Sequence, residues 1–212
     1  MRTSPPVTRL PARERRRQLL SVAIAEFGTT GYHRTSMNRL ADAAGVTKPV
    51  LYQHFVSKRD LYLELLRDIG SRLRDSITAA TANADGPHQQ VEAGFAAYFR
   101  FFADDPPAFV VLFGDGARRD EEFAAQAHEV ERSLAETIAD QITIEDLDRD
   151  DRAVLAYGIV GLAEGAARYW VSRGLDIEPD RLARRVADLV WYGLRGPSAR
   201  SAPAASTAVN AG

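Results

Sequence analysis

Cysteine is absent from this 212-residue chain, which excludes a disulfide framework, a thiolate nucleophile and any zinc or iron–sulfur site with cysteine ligands. No apolar run approaches the roughly 20 residues that a membrane span needs, so no membrane partner is expected. The N-terminus carries arginines but no apolar stretch followed by a small-residue cleavage site, and a secretion signal is not expected either. These absences lead to the expectation of a cytoplasmic protein. Alternation of β-branched residues long enough for a sheet is missing too. The histidines, His33, His54, His88 and His128, show no metal-ligand spacing. No phosphate loop, Gly-x-Ser-x-Gly or His-Glu-x-x-His motif is present. The chain is therefore expected to hold no metal or cofactor and not to be an enzyme.

What is present is unevenly distributed. The chain is 45% hydrophobic and 26% charged, an ordinary globular composition, with a net charge of −2. Residues 1–60 hold 11 basic and 4 acidic side chains, a balance of +7, which leaves −9 for the remainder. A basic block next to an acidic one is either a solvated face or a nucleic-acid footprint. Lysine is rare. Lys48 and Lys58 are the only two, against 25 arginines.

Almost every segment carries a helical period, so the fold class is all-α. Residues 1–11 hold three prolines and no periodicity and read as a disordered arm. A first helix is expected from Ala12 to just before Gly28, with Leu20, Ala23, Ile24 and Phe27 on its buried stripe. The arginines at its start oppose the helix dipole. A second is expected over Thr35–Ala44, with Thr35 as N-cap and Gly45 as its left-handed terminator. A third spans Thr47–Phe55, with Pro49 harmlessly in its first turn. Ser57 and Asp60 form a capping box for a fourth that runs to about Ala82. Five more follow: one near Pro87–Ala103, a short one after an Asp105-Pro106-Pro107 break that ends at Gly114, and three near Arg118–Ile142, Arg149–Arg173 and Pro179–Arg195. Residues 196–212 read as a disordered tail.

The spacing over 35–55 is that of a helix-turn-helix: two short helices joined by a glycine turn, stable only when both lean on a third. Val46, Leu51 and Phe55 point inward, which leaves Lys48, Pro49, Tyr52 and Gln53 outward. Lys can reach guanine O6/N7 or phosphate, and Gln can pair with adenine N6/N7. Hydroxyls and helix N-termini suit phosphate oxygens.

The run from Gly31 to Phe55 (GYHRTSMNRLADAAGVTKPVLYQHF), continued by Ser57-Lys58-Arg59-Asp60-Leu61, resembles the DNA-binding signature of TetR/AcrR-type transcriptional regulators. The motif match covers about residues 12–65; beyond it the likeness rests on the all-helical layout. The resemblance implies a helix-turn-helix domain over 12–60 and a helical ligand-binding and dimerisation domain over 61–195. It implies phosphate contacts from Thr35, Tyr52, His54 and Lys58, and a groove-facing tip of Thr47, Lys48, Pro49 and Val50; Gln53 joins that face by its outward spacing. Pro49 stands where many members have Gly, and Val50 where many have Thr, so base preference is not inherited. His54 could instead be structural, and Arg13, Arg16 and Arg17 could be phosphate contacts or a solvated face.

Residues 95–113 hold seven aromatics: Phe95, Tyr98, Phe99, Phe101, Phe102, Phe109 and Phe113. They are either a bulky core or the lining of a cavity for an apolar or aromatic effector, with His128, Tyr157 and Glu164 as orienting groups. Glu164 sits four residues before Arg168, so it also suits an ordinary helical ion pair. Gly158, Gly161 and Gly165 recur along one helix at a cost of about 1 kcal/mol each. That implies close approach of another helix, from the same subunit or from a second copy. With Leu182, Val186, Leu189 and Val190, these glycines form a candidate homodimer interface.

The leading reading is a ligand-responsive homodimeric repressor released from a pseudo-palindromic, double-stranded operator by an unidentified small molecule. The competing readings are a small-molecule-binding protein with a non-functional DNA domain, and an enzyme on a helical bundle.

Overall fold

The computed structural model describes residues 11–194 apart from 115, 117 and 118. Among these residues it is all-helical and contains no strand. The helices are α1 (Ala12–Thr30), α2 (Met37–Ala43), α3 (Lys48–His54), α4 (Lys58–Thr81), α5 (Pro87–Asp104), α6 (Pro106–Phe113), α7 (Glu121–Ala139), α8 (Arg149–Ser172) and α9 (Pro179–Leu194). Of the expected arm, Pro11 is described and stands as the N-cap residue of α1. The rest of the arm, the tail over 196–212 and the expected helix start at Arg118 lie outside the described residues.

Short polar side chains set the helix starts. Ser57 Oγ accepts from the Asp60 amide (3.0 Å), and Asp60 Oδ2 accepts from the Val56 amide (3.1 Å), a capping box shifted by one donor. Asp120 caps α7 through the Glu122 and Phe123 amides, and Asp148 caps α8 through the Asp151 amide. Prolines at α3, α5 and α6 occupy first turns, where no N–H is needed.

Two boundaries differ from the sequence expectation for physical reasons. Ser36, not Thr35, caps α2, its Oγ accepting from the Arg39 amide. Thr35 is buried, and its hydroxyl donates to the Gly31 carbonyl (2.9 Å). Helix α1 does not stop before Gly28 but runs on to Thr30, and Gly31 ends it at φ +85°. Gly28 is there for close approach: a Cβ on it would lie 2.5 Å from Pro107 Cβ at the start of α6.

Helix α4 is the spine. Leu61, Leu65 and Leu66 are fully buried at its start, where it packs on α1, and Ile69, Leu73 and Ile77 continue the stripe into the larger bundle. A domain border at 60/61 therefore falls inside the first turn of a continuous helix. Below it, α4 packs on α5 and α7, α5 packs on α9, and α7 packs on α8. The two regions also meet through α1 against α6 and through a ring cluster. There Tyr32, Tyr62 and Phe123 stand with centroids 4.6–5.0 Å apart, and the Tyr62 hydroxyl donates to the Val111 carbonyl (2.9 Å). The Arg59 guanidinium joins Asp120 and Glu122 across the same joint.

An Ala at an exposed helical glycine stabilises by about 1 kcal/mol. At Gly28 the sign is expected to reverse. Gly28→Ala should lose about 1–3 kcal/mol in denaturant unfolding, because the new methyl overlaps Pro107.

Candidate functional site

Helix α3 is seven residues long and exists because Leu51 and, at its end, Phe55 are locked into the core at 1% exposure. Anchoring at i and i+4 turns the opposite side outward. Thr47, Lys48, Pro49, Tyr52 and Gln53 are exposed, while Val50 and His54 are half-buried. The Thr47 side chain makes no capping hydrogen bond, so its hydroxyl is not committed to α3. Lys48 Nζ lies 5.9 Å from the Tyr52 ring centroid, a loose cation–π arrangement on the exposed face. The result is an exposed ridge with hydroxyl, amide and ammonium donors and one aromatic face.

Two residues expected at this surface are placed differently. Thr35 is buried and its hydroxyl is committed to Gly31. The Lys58 ammonium points into the protein, donating to the Tyr32 and Thr35 carbonyls (3.0 Å each) and lying 4.2 Å from the Tyr32 ring centroid. Burial lowers its pKa. Lys58 ties the α1–α2 connection to α4, so a phosphate contact would require it to leave those carbonyls.

The arginines divide in the same way. Arg16 is a clamp: Nε donates to Glu64 (2.8 Å), a terminal nitrogen donates to the His54 carbonyl (2.6 Å), and the guanidinium lies 4.5 Å from the Phe55 ring centroid. Arg39 pairs with Glu26, and Arg59 with Asp120 and Glu122. These pairs hold Asp120 below its usual carboxylate range, chiefly through the Arg59 hydrogen bonds. Arg13 and Arg17 stay exposed on α1, one turn apart.

A cavity of about 460 Å³ lies in the larger bundle among α4, α5, α7 and α8, within the range of small-molecule sites. Of the aromatics expected to line it, Phe95 and Tyr98 do. Phe99, Phe102, Phe109 and Phe113 are core instead, stacked edge to face from α5 to α6. His128 and Tyr157 are exposed on α7 and α8, away from the cavity. Glu164 pairs with Arg168, whose guanidinium reaches the Phe113 carbonyl at the end of α6. Wall positions not expected from the sequence come from Ile77 and Thr81 on α4, Leu134 and Ile138 on α7, and the 141–144 segment. The run Ile138, Ile142, Ile144 was their available signal, an apolar pattern continuing past a helix end. The Tyr98 hydroxyl is buried without a hydrogen-bond partner among the described residues, a state that costs about 1–3 kcal/mol.

On the outside of α8, Val154, Tyr157, Gly158, Gly161, Gly165 and Tyr169 share one exposed face. Among the described residues, no atom beyond the glycine's own stretch of helix lies within 4 Å of a Cβ placed on any of the three, so they do not serve close packing against another described helix. From α9, Leu189 (62% exposed) and Tyr192 (68%) face outward. Leu182, Val186 and Val190, expected on this surface, are instead buried against the chain's own α5 side. Their spacing gives a single stripe, and the stripe is used inside the subunit.

Comparison with known proteins agrees with this architecture. Residues 19–65 match the family model for bacterial regulatory proteins of the tetR family, and residues 87–193 match that for the tetracyclin repressor-like C-terminal domain. The chain is 33% identical over 187 residues to the transcriptional activator FasR of Mycolicibacterium smegmatis, covering 88% of this chain and 85% of that protein. It is 30% identical over 186 residues to the transcriptional repressor KstR2 of Mycobacterium tuberculosis, covering 85% and 80%. The fold is shared with the regulator FadR of Bacillus subtilis, solved in complex with stearoyl-CoA. That match has a TM-score of 0.70 and 18% identity, over 82% of this chain and 96% of that one. The matched families and curated relatives regulate transcription and are not enzymes. The helix-turn-helix geometry, both family models and the full-length relatives together make this chain a member of the TetR family of DNA-binding transcriptional regulators.

Proposed function

We propose that the protein is a homodimer that seats two copies of α3 on a pseudo-palindromic operator and releases it when a small apolar molecule fills the cavity. The observation that carries this reading is the pairing of an exposed α3 ridge with a separate apolar cavity, joined by α4. Residues 12–60 form the DNA-binding part and 61–195 the effector and dimer part, with α4 continuous across the border. Thr47, Lys48, Pro49, Tyr52 and Gln53 meet the duplex directly, with Val50 giving methyl contact and His54 at the edge. Such a protein works where the chromosome is, in the cytoplasm.

The partner in the dimer is a second copy, and the glycine face of α8 with Leu189 and Tyr192 supports it. Three exposed glycines let a partner helix approach closely, and exposed tyrosines supply rim area. Twofold symmetry places the α3 copies about 34 Å apart, or a multiple of that, along one face of DNA. Because the cavity lies among helices that pack on α4, filling it changes how the two α3 ridges are held. By linkage, operator and effector then weaken each other's binding to the same degree. The repressor sense follows KstR2; FasR, an activator, shows that the family also uses the opposite sense.

A mobility-shift titration with DNA upstream of the protein's own gene is expected to show a complex that weakens steeply as salt rises. No shift at low salt would overturn the reading. Lys48→Ala should weaken binding across sequences and lower the salt slope by about 1 while leaving thermal stability unchanged. Lys58→Met is expected to lose about 1–2 kcal/mol of stability, because two carbonyls lose their donor.

Gly161→Arg places a charge where, among the described residues, no other helix comes within 4 Å. The fold should survive, and sedimentation should change from dimer to monomer. A variant that still sediments as a dimer would move the interface elsewhere.

A further inference from the structure

We propose that the cavity selects an elongated apolar molecule carrying an uncharged oxygen at its buried end, and that Tyr98 is the residue that reads that oxygen. This rests on the cavity being the effector site.

Shape comes first. On α5 the wall positions run from Pro87 to Tyr98 along one stripe, at i, i+3, i+4, i+7, i+8 and i+11. That is about 16 Å of helix at 1.5 Å per residue, a long slot for its volume. The walls are mostly apolar, and none of the lining residues carries a charged side chain. An ionised group drawn into the slot would therefore have no counter-ion there.

Polar groups open to the slot stand at one end, and a single hydroxyl closed off from it lies behind the wall at the other. Thr81 and Gln141 meet where α4 and α7 finish, Gln141 Nε2 already donating to Thr81 Oγ1 (3.2 Å), and Gln90 lines the same cavity from α5. An ionised head group belongs at that end. At the other end of the stripe stands Tyr98, half a helix further along α5. Its neighbours at 95, 99 and 102 are phenylalanines, so the position accepts a plain ring. The extra oxygen has no partner among the described residues and is closed to water. Burial, with the Glu164 carboxylate, raises its pKa far above the ordinary phenol value, so it stays protonated and can donate. The chemistry it lacks is an acceptor. A hydroxyl, ketone or ester oxygen on the inner tip of a ligand supplies one as that tip parts the inner wall, and a plain alkyl tip does not.

The test compares dodecanoate and hexadecanoate with their ω-hydroxy derivatives by isothermal titration calorimetry, on the full chain and on Tyr98→Phe. The wild-type protein should bind each ω-hydroxy acid within about twofold of its parent, because the hydroxyl exchanges water for Tyr98. Tyr98→Phe should bind the parents unchanged and the ω-hydroxy acids at least about tenfold more weakly, the penalty for burying an unpaired hydroxyl. An equal ratio in both proteins overturns the proposal and leaves the cavity as an effector site. Failure of all four to bind the wild-type protein overturns the effector-site reading and this proposal with it. The unliganded Tyr98→Phe protein should also melt no lower than wild type. A lower midpoint would show that the hydroxyl serves the fold, which overturns the proposal as well.

Discussion

Two helices of seven residues cannot hold their shape in water, because each closes too few hydrogen bonds to offset its own nucleation. The helix-turn-helix of this protein is made of two such helices, so everything it does depends on what they lean against. Leu40 and Met37 of α2, and Leu51 and Phe55 at α3, are buried in one core in which α2 packs on α1 and α3 on α2. Arg16 and Lys58 close the arrangement with bonds to main-chain carbonyls that no side chain of α2 or α3 supplies. The exposed ridge of α3 is rigid because its back is fixed.

The same supports make the ridge answerable to the rest of the chain. Helix α4 carries buried residues of both regions on one continuous stripe, and α1 meets α6 where Gly28 admits Pro107. Neither contact is soft: one is a helix that has no break, the other a backbone approach with no room for a methyl group. A change in how α5, α6 and α7 sit is thus transmitted to α1 and α4 as displacement and not absorbed by loose side chains.

The basic head of the chain has a mixed meaning. The +7 balance of residues 1–60 is a true property of the sequence, yet Arg16, Arg39 and Arg59 are tied to carboxylates and Lys58 to carbonyls. Lys48, Arg13 and Arg17 remain on the surface. Count and location of charge are different quantities, and only the second decides which side chains can meet phosphate. The outer face of α8 shows the same distinction for apolar residues. Its glycines are a local pattern, but whether they face a neighbour or solvent depends on where α5, α7 and α9 lie.

By itself the sequence determined the helical class, the order of helices, the helix-turn-helix and the outward set Lys48, Pro49, Tyr52 and Gln53. Each of these follows from spacing within one or two turns and from capping residues beside the helices they start. Tertiary structure decided that Thr35 is buried with Ser36 as the cap, that Gly28 lies inside a helix, and that Arg16 reaches a partner 48 residues away. It also decided that only Phe95 and Tyr98 of the seven expected aromatics line the cavity, with Phe99, Phe102, Phe109 and Phe113 in the core, and that Leu182, Val186 and Val190 face inward while Leu189 faces out. A periodic pattern says that a helix has an apolar side. Which neighbour that side meets is set by contacts between residues far apart in the chain, and those exist only once the helices have packed.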